Sequence, residues 1–268
     1  MDQLQTLLQS FFNVPDMLVV LPDILGYGLW NTLLLAAAAT VVGIVIGLVL
    51  AAMAVSRSRV LRVLAGIYTD VFRGLPAILT ILVLGQGLAP LFNTVTKGNP
   101  YPLGILALGL IAGAYIGEIF RSGIQSIDKG QLEAARALGL GYGPAMRLVV
   151  IPQGIRRVLP ALVNQFIAIV KDSSLVYFLG LVTSQRELFR VGQDAAVTYA
   201  NLSPLVTAGV FYLLITVPLT HLVNVIDRRL RTGRAAVDND DGRGTGTTAT
   251  PATPATAPAG AVTIGQDG

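Results

Sequence analysis

The sequence predicts an all-α integral membrane protein. It has about five transmembrane helices, an outside N-terminus, a cytoplasmic C-terminus and one cytoplasmic amphipathic helix held between spans. Three observations predict this. Only 13% of the 268 residues are charged while 53% are hydrophobic, against about 25% charged in an ordinary soluble domain. Uncharged runs long enough to cross a bilayer, roughly 20 residues each, recur along the chain. The positive charge is also grouped. Arg57, Arg59 and Arg62 form one group, the stretch from Arg121 to Arg157 a second, and Arg228, Arg229, Arg231 and Arg234 a third. The remaining loops carry only Lys97, Arg186 and Arg190. Basic loops are retained on the cytoplasmic side, which sets the orientation.

The same composition excludes other classes. With no cysteine there is no disulfide, iron–sulfur or thiolate-zinc chemistry. The single histidine, His221, lies in an apolar stretch and reads as structural, so no metal site is expected. The net charge of +4 is not gathered on a water-exposed domain, so no nucleic-acid surface is expected.

Residues 1–23 are moderately apolar but interrupted by Pro15, Asp16, Pro22 and Asp23. They have neither the basic start nor the small-residue cleavage site of a signal peptide, and read as an interfacial segment. The first span, 24–55, is uncharged. Ala39, Gly43, Gly47 and Ala51 recur every four residues, giving a stripe against which another helix can pack closely. The basic loop SRSRVLR (56–62) leads into the second span, 63–91. Pro76 removes a backbone donor there and disfavours helix at Leu75, so a kink is expected near 74–76. Asn93–Tyr101 reads as an outside turn. The third span is 102–120, the fourth 156–181 and the fifth 204–226, with a polar outside segment, Thr183–Ser203, before the last. From 233 to 268 Gly, Thr, Ala, Pro and Asp dominate, a composition that cannot bury a core and reads as a disordered tail.

The loop 122–155 is the longest polar stretch between spans. Asp128 is placed to cap a helix, and Gln131 to reach back as in a capping box. Lys129–Leu138 are good helix formers, with Leu132, Ala135 and Leu138 or Gly139 along one face. Gly139 suits a left-handed helix end. The run Gly141-Tyr142-Gly143-Pro144 predicts a turn. A second short helix, Pro144–Val150, is expected to stop before Pro152. A helix–turn–helix of this kind can lie on lipid headgroups or dock on a soluble protein, and its geometry alone does not choose.

Glu133-Ala134-Ala135, Gly139 and Ile151-Pro152 resemble the EAA loop of importer-type ATP-binding-cassette permeases. Five colinear segments are similar, more specifically, to the polar amino acid permease family. They are GLWNTLLLA (28–36), DVFRGLPAILTI (70–81), AYIGEIFRSGIQSI (114–127), KGQLEAARALGL (129–140) and VVIPQGIRRVLPALVNQFIAIVKDSSL (149–175). Ile151 stands where the family usually has Leu, and the tail beyond 233 has no counterpart. The resemblance implies a permease subunit with its transmembrane domain at 24–232, working in the bacterial plasma membrane. It implies three protein partners: a dimer of ATPase subunits, a second permease (a copy or a sister chain) and an extracytoplasmic amino-acid-binding protein. The chain has no GxxxxGK[ST] motif, so ATP and magnesium are expected on the ATPase partner, and this chain is expected to bind no cofactor and to be no enzyme. Glu133, Ala134, Ala135, Arg136 and Gly139 are the expected ATPase-coupling residues.

Charges within spans are costly and face cavities or partners. Asp70, Arg73, Glu118, Lys171 and Asp172 are therefore candidates for a substrate path, and Tyr115, Asn164, Gln165 and Ser173 could add neutral hydrogen bonds. A zwitterionic amino acid needs both signs of charge. The competing role is structural pairing that holds spans together. Two other function classes are an ion-gradient-driven secondary transporter, which should show inverted repeats that are not evident here, and a membrane scaffold that recruits a soluble protein.

Overall fold

The computed structural model describes residues 2–181 and 183–241, and the side chains of 3–181 and 184–228. The chain divides into a compact unit, Met1–Arg229, and a second unit, Leu230–Gly268. The described residues form helices throughout: α1 (Asp2–Phe12), α2 (Val14–Asp23), α3 (Leu29–Ala54), α4 (Arg59–Gly74), α5 (Ala77–Gly87), α6 (Ala89–Thr96), α7 (Tyr101–Gln125), α8 (Lys129–Ala137), α9 (Tyr142–Ala145), α10 (Ile151–Asp172), α11 (Leu188–Tyr199) and α12 (Ser203–Asp241). Four helical stretches are long and apolar enough to cross a membrane: Gln3–Ala54, Tyr101–Gln125, Tyr142–Leu179 and Ser203–Arg228. The bent pair α4 and α5 makes a fifth if the two count as one broken span.

The central element is α7, against which α3, α4, α5 and α10 all pack. The α3 contact is the closest, because both helices present small residues. Ala39, Gly43, Gly47 and Ala51 are all buried, as the four-residue spacing predicts. A Cβ added at Gly43 would stand 2.8 Å from the Ala112 Cβ, and one at Gly113 would stand 2.6 Å from the Ile46 Cγ2. Neither position has room for a side chain, so the backbones set the approach.

Two prolines behave differently from expectation. Pro22 does not separate an interfacial segment from the first span. A π turn, Ile24–Gly28, joins α2 to α3, with the Leu29 amide donating to the Ile24 carbonyl. Pro152 does not stop the helix of the polar loop either. A second π turn, Met146–Val150, carries α9 into α10, with the Ile151 amide donating to the Met146 carbonyl. In both places a widened turn lies next to a residue that would disrupt a regular helix. The fourth span therefore begins inside the polar loop. It then tightens into a 3-10 segment, Ser173–Leu179, that ends at Gly180 with φ +76°.

The break at Pro76 is present and sharp. Leu75 and Pro76 are extended (ψ 141° and 132°), and α4 and α5 meet at 103°. The basic loop is shorter than expected, since α4 starts at Arg59 with Ser58 in the cap position. Part of the expected turn at 93–101 is helical, because α6 continues to Thr96 before Lys97 and Gly98 take positive φ. The backbone of α12 is helical as far as Asp241, into the stretch expected to be disordered. The rest of that tail, 242–268, lies outside the described residues.

The bundle has two distinct ends. At one, the Tyr101 hydroxyl donates to the Asn31 carbonyl, the Asn31 amide donates to the Ser184 and Arg186 carbonyls, and the Leu202 amide donates to the Ser10 carbonyl. At the other, the Arg57 guanidinium lies 4.5 Å over the Tyr142 ring. Arg157 donates there to the Ser126 carbonyl. The first two basic groups thus meet at one end, as the charge pattern predicts.

Candidate functional site

The polar loop builds a small helix with both ends fixed. The Asp128 side chain accepts from the Gly130 amide at 2.6 Å and supplies the expected N-cap. Gln131 does not close the capping box. Its Oε1 instead accepts from the Gln153 Nε2 at 3.3 Å, which ties α8 to α10. At the other end Gly139 takes φ +89°. Its amide donates to the Arg136 carbonyl at 3.0 Å, and the Leu140 amide donates to the Ala135 carbonyl at 3.2 Å. That pair of bonds is a Schellman cap, which a Cβ at Gly139 would strain. The turn expected at Gly141–Pro144 is absent, because α9 already starts at Tyr142 with Gly141 as its extended N-cap residue.

The burial of α8 separates an anchor from a free ridge. Ala135 is buried and Leu132 half-buried. Leu138 was expected on the same face but is 86% exposed. The Schellman cap turns it outward, and only the first two of the three expected positions hold the helix down. Glu133, Ala134 and Arg136 are exposed. Among the described residues neither the Glu133 nor the Arg136 side chain has a hydrogen bond or ion pair within the chain. The outward surface is therefore a short ridge with one carboxylate, one guanidinium, a methyl between them and a leucine at its end.

The charges in the spans fall into two separate groups. In the first, Arg121 grips Glu118 with two hydrogen bonds of 2.7 and 2.9 Å. Arg73 stands 3.9 Å from the same carboxylate and 5.3 Å over the Tyr115 ring. Tyr115, Glu118 and Arg73 are thus brought together, and Asp70 lies one turn back from Arg73 on α4, exposed and without an ion pair among the described residues. The second group is on α10 and the segment after it. Asn164 and Lys171 are exposed one heptad apart, and Asp172 is half-buried. Ser173 is fully buried, with its hydroxyl donating to the Val170 carbonyl at 2.7 Å. No ion pair joins the two groups among the described residues.

A third polar centre was not singled out by the sequence. Glu187 is fully buried. Its two carboxylate oxygens accept from the Phe189 and Arg190 amides at 2.6 and 2.8 Å, capping α11. The Tyr212 hydroxyl of α12 donates to it at 3.1 Å, and the neighbouring Leu188 amide donates to the buried Thr32 hydroxyl of α3 at 3.0 Å. Burial pushes the Glu187 carboxyl up to about 7, against the opposing pull of those hydrogen bonds and of Arg190. The only local signal was an acidic residue just ahead of an apolar helix start, and its burial goes with Tyr212, 25 positions away, and with Thr32, 156 positions from its neighbour Leu188.

Comparison with known proteins assigns the class. Residues 43–232 match the model of the family described as binding-protein-dependent transport system inner membrane component. The chain belongs to this family, and with its several apolar helices it is a multi-pass membrane protein and a transport permease. It is 36% identical over 204 residues to the arginine transport system permease protein ArtQ of Bacillus subtilis (strain 168), covering 76% of this chain and 91% of that one. A probable glutamine ABC transporter permease protein, GlnM, of the same organism is 34% identical over 203 residues, with the same coverage. Among solved structures, an amino acid ABC transporter described as crystallised with histidines superposes with a TM-score of 0.69 at 34% identity, over 80% of this chain and 96% of that one. The inward-facing MetNI methionine ABC transporter superposes at 0.60 with 22% identity and shares the fold.

Proposed function

We propose that the chain is the permease subunit of an ATP-binding-cassette importer for polar or charged amino acids. The observation that carries this is the α8 ridge. Glu133, Ala134 and Arg136 are presented on a helix capped at both ends, and their charged groups have no partner among the described residues. A surface so fixed and so unpaired suits a cleft in another protein better than a mobile headgroup layer. The arginine and glutamine permeases among its relatives support the substrate class. In this reading the α8 end of the bundle faces the cytoplasm and the N-terminus lies outside. ATP and magnesium sit on a separate ATPase dimer, a second permease completes the pathway, and an external binding protein delivers the amino acid.

Closure of the ATPase dimer on ATP carries α8 with its cleft. That motion drives the spans between two access states only if the ATP-bound partner holds one state more tightly than the other. Arg73, Tyr115 and Glu118, with Asp70 nearby, supply both signs of charge from α4 and α7. Asn164, Lys171, Asp172 and Ser173 supply a second set from the fourth span. Proteoliposomes containing the chain with its ATPase, permease and binding-protein partners should take up a polar amino acid when ATP is present on the ATPase side. Uptake by the chain alone on a sodium or proton gradient would overturn the assignment in favour of a secondary transporter. Docking of the ATPase without uptake would leave only a scaffold.

A further inference from the structure

We propose that the groove between the basic end of α3 and the polar-loop segment is a binding site for one anionic phospholipid. The groove is a cavity of about 620 Å³. Its walls are Leu48 and Ala52 of α3, Phe120 and Ile124 of α7, Met146 of the second π turn and Ile155 of α10. These side chains are apolar on three sides, as an acyl chain requires. The mouth is different. Arg57 lines it and is held 4.5 Å over the Tyr142 ring, which itself lines the groove. A guanidinium stacked on an aromatic face keeps its edge donors free for a phosphate.

The level of the site fits a headgroup. The uncharged helix ends at Ala54, and Ser56, Arg57, Ser58 and Arg59 follow at once. A lipid phosphate at Arg57 would leave its chain running back along α3 into the apolar groove. Charge selects the occupant. Arg59 and Arg62 are exposed on the next turn and a half of helix. A second copy of this chain would bring the same basic end toward them, whereas an anionic phosphodiester is complementary to it. The lipid would touch α3, α7 and the π turn that leads out of the polar loop. It would thus fill space between a span and the element that contacts the soluble partner. This goes beyond the transport reading and can be tested without transport.

The test uses the full chain in nanodiscs of phosphatidylcholine doped with trace diazirine-bearing phosphatidylglycerol or diazirine-bearing phosphatidylcholine. Labelled peptides are mapped by mass spectrometry. Phosphatidylglycerol should label 48–57 and 142–155 about fivefold more than phosphatidylcholine. Arg57→Gln should remove that preference, and Arg57→Lys should retain it. Ala52→Trp should fill the groove and abolish labelling there by either lipid. Thermal stability of each variant checks its folding, and Lys97→Gln at the opposite end should change nothing. Equal labelling by the two lipids, or a preference that survives both Arg57→Gln and Ala52→Trp, would overturn the proposal. So would a wild-type groove that no lipid labels, the result expected if another copy or another protein fills it.

Discussion

Glu187 makes a pH-dependent contribution of defined sign. Its carboxyl titrates near 7 in the folded protein, above the ordinary 4.5. Between those values the folded state keeps a proton that the unfolded state has released. Stability from this group is therefore complete below about 4.5 and is lost as pH rises through about 7. Glu187→Gln should flatten the fall in melting temperature across that interval, measured in detergent. Glu187→Ala should cost about 1–3 kcal/mol below about pH 4.5, where the contribution of the group is complete, because the Phe189 and Arg190 amides lose a buried acceptor. At the exposed ridge the expectation is opposite. Glu133→Lys should leave membrane insertion and stability unchanged while lowering ATP-driven uptake at least tenfold. Uptake at the normal rate would show that Glu133 is not an anchor for the partner. The contrast explains what could be read in advance. The Asp128 cap and the Gly139 end were legible because both are local. The burial of Glu187 was not, since Thr32 and Tyr212 create it from distant segments.

At the scale of elements, the seam between α3 and α7 gives a paired prediction. A side chain at Gly113 has no space beside Ile46, whereas one at Gly66 of α4 meets nothing within 4 Å. Gly113→Leu should destabilise by about 1–3 kcal/mol or part the two helices. Gly66→Ala should be neutral or stabilising by up to about 1 kcal/mol, through helix propensity alone. Thermal unfolding of the two variants side by side checks both. The small-residue stripe that makes this seam was readable because its four-residue period is a direct property of the chain. Pro76 was readable as a break, but the 103° angle was not, because packing against α7 sets the direction of α5. Pro22 and Pro152 misled for one shared reason. A single proline is a strong local signal against a regular helix, yet in both places the helix continues past it with a π turn close by.

For the molecule as a whole, helix count, membrane class and the meeting of basic segments at one end followed from composition and charge. The separation of the span charges into two groups did not, because it depends on which faces of α4, α7 and α10 meet. The way α8 is attached has mechanical meaning. Its N-terminal side is short of slack, since Arg157 in the second turn of α10 bonds the Ser126 carbonyl two residues before Asp128. Its own Gln131 bonds Gln153. A push on α8 is thus shared between two spans rather than absorbed by a compliant linker, as a crank is keyed to its shaft. Loosening the key should waste strokes without removing the handle. Arg157→Ala is expected to keep ATPase docking and ATP turnover while at least doubling the ATP hydrolysed per amino acid delivered, measured in the same vesicles. An unchanged ratio would mean that the torque reaches the spans by another route.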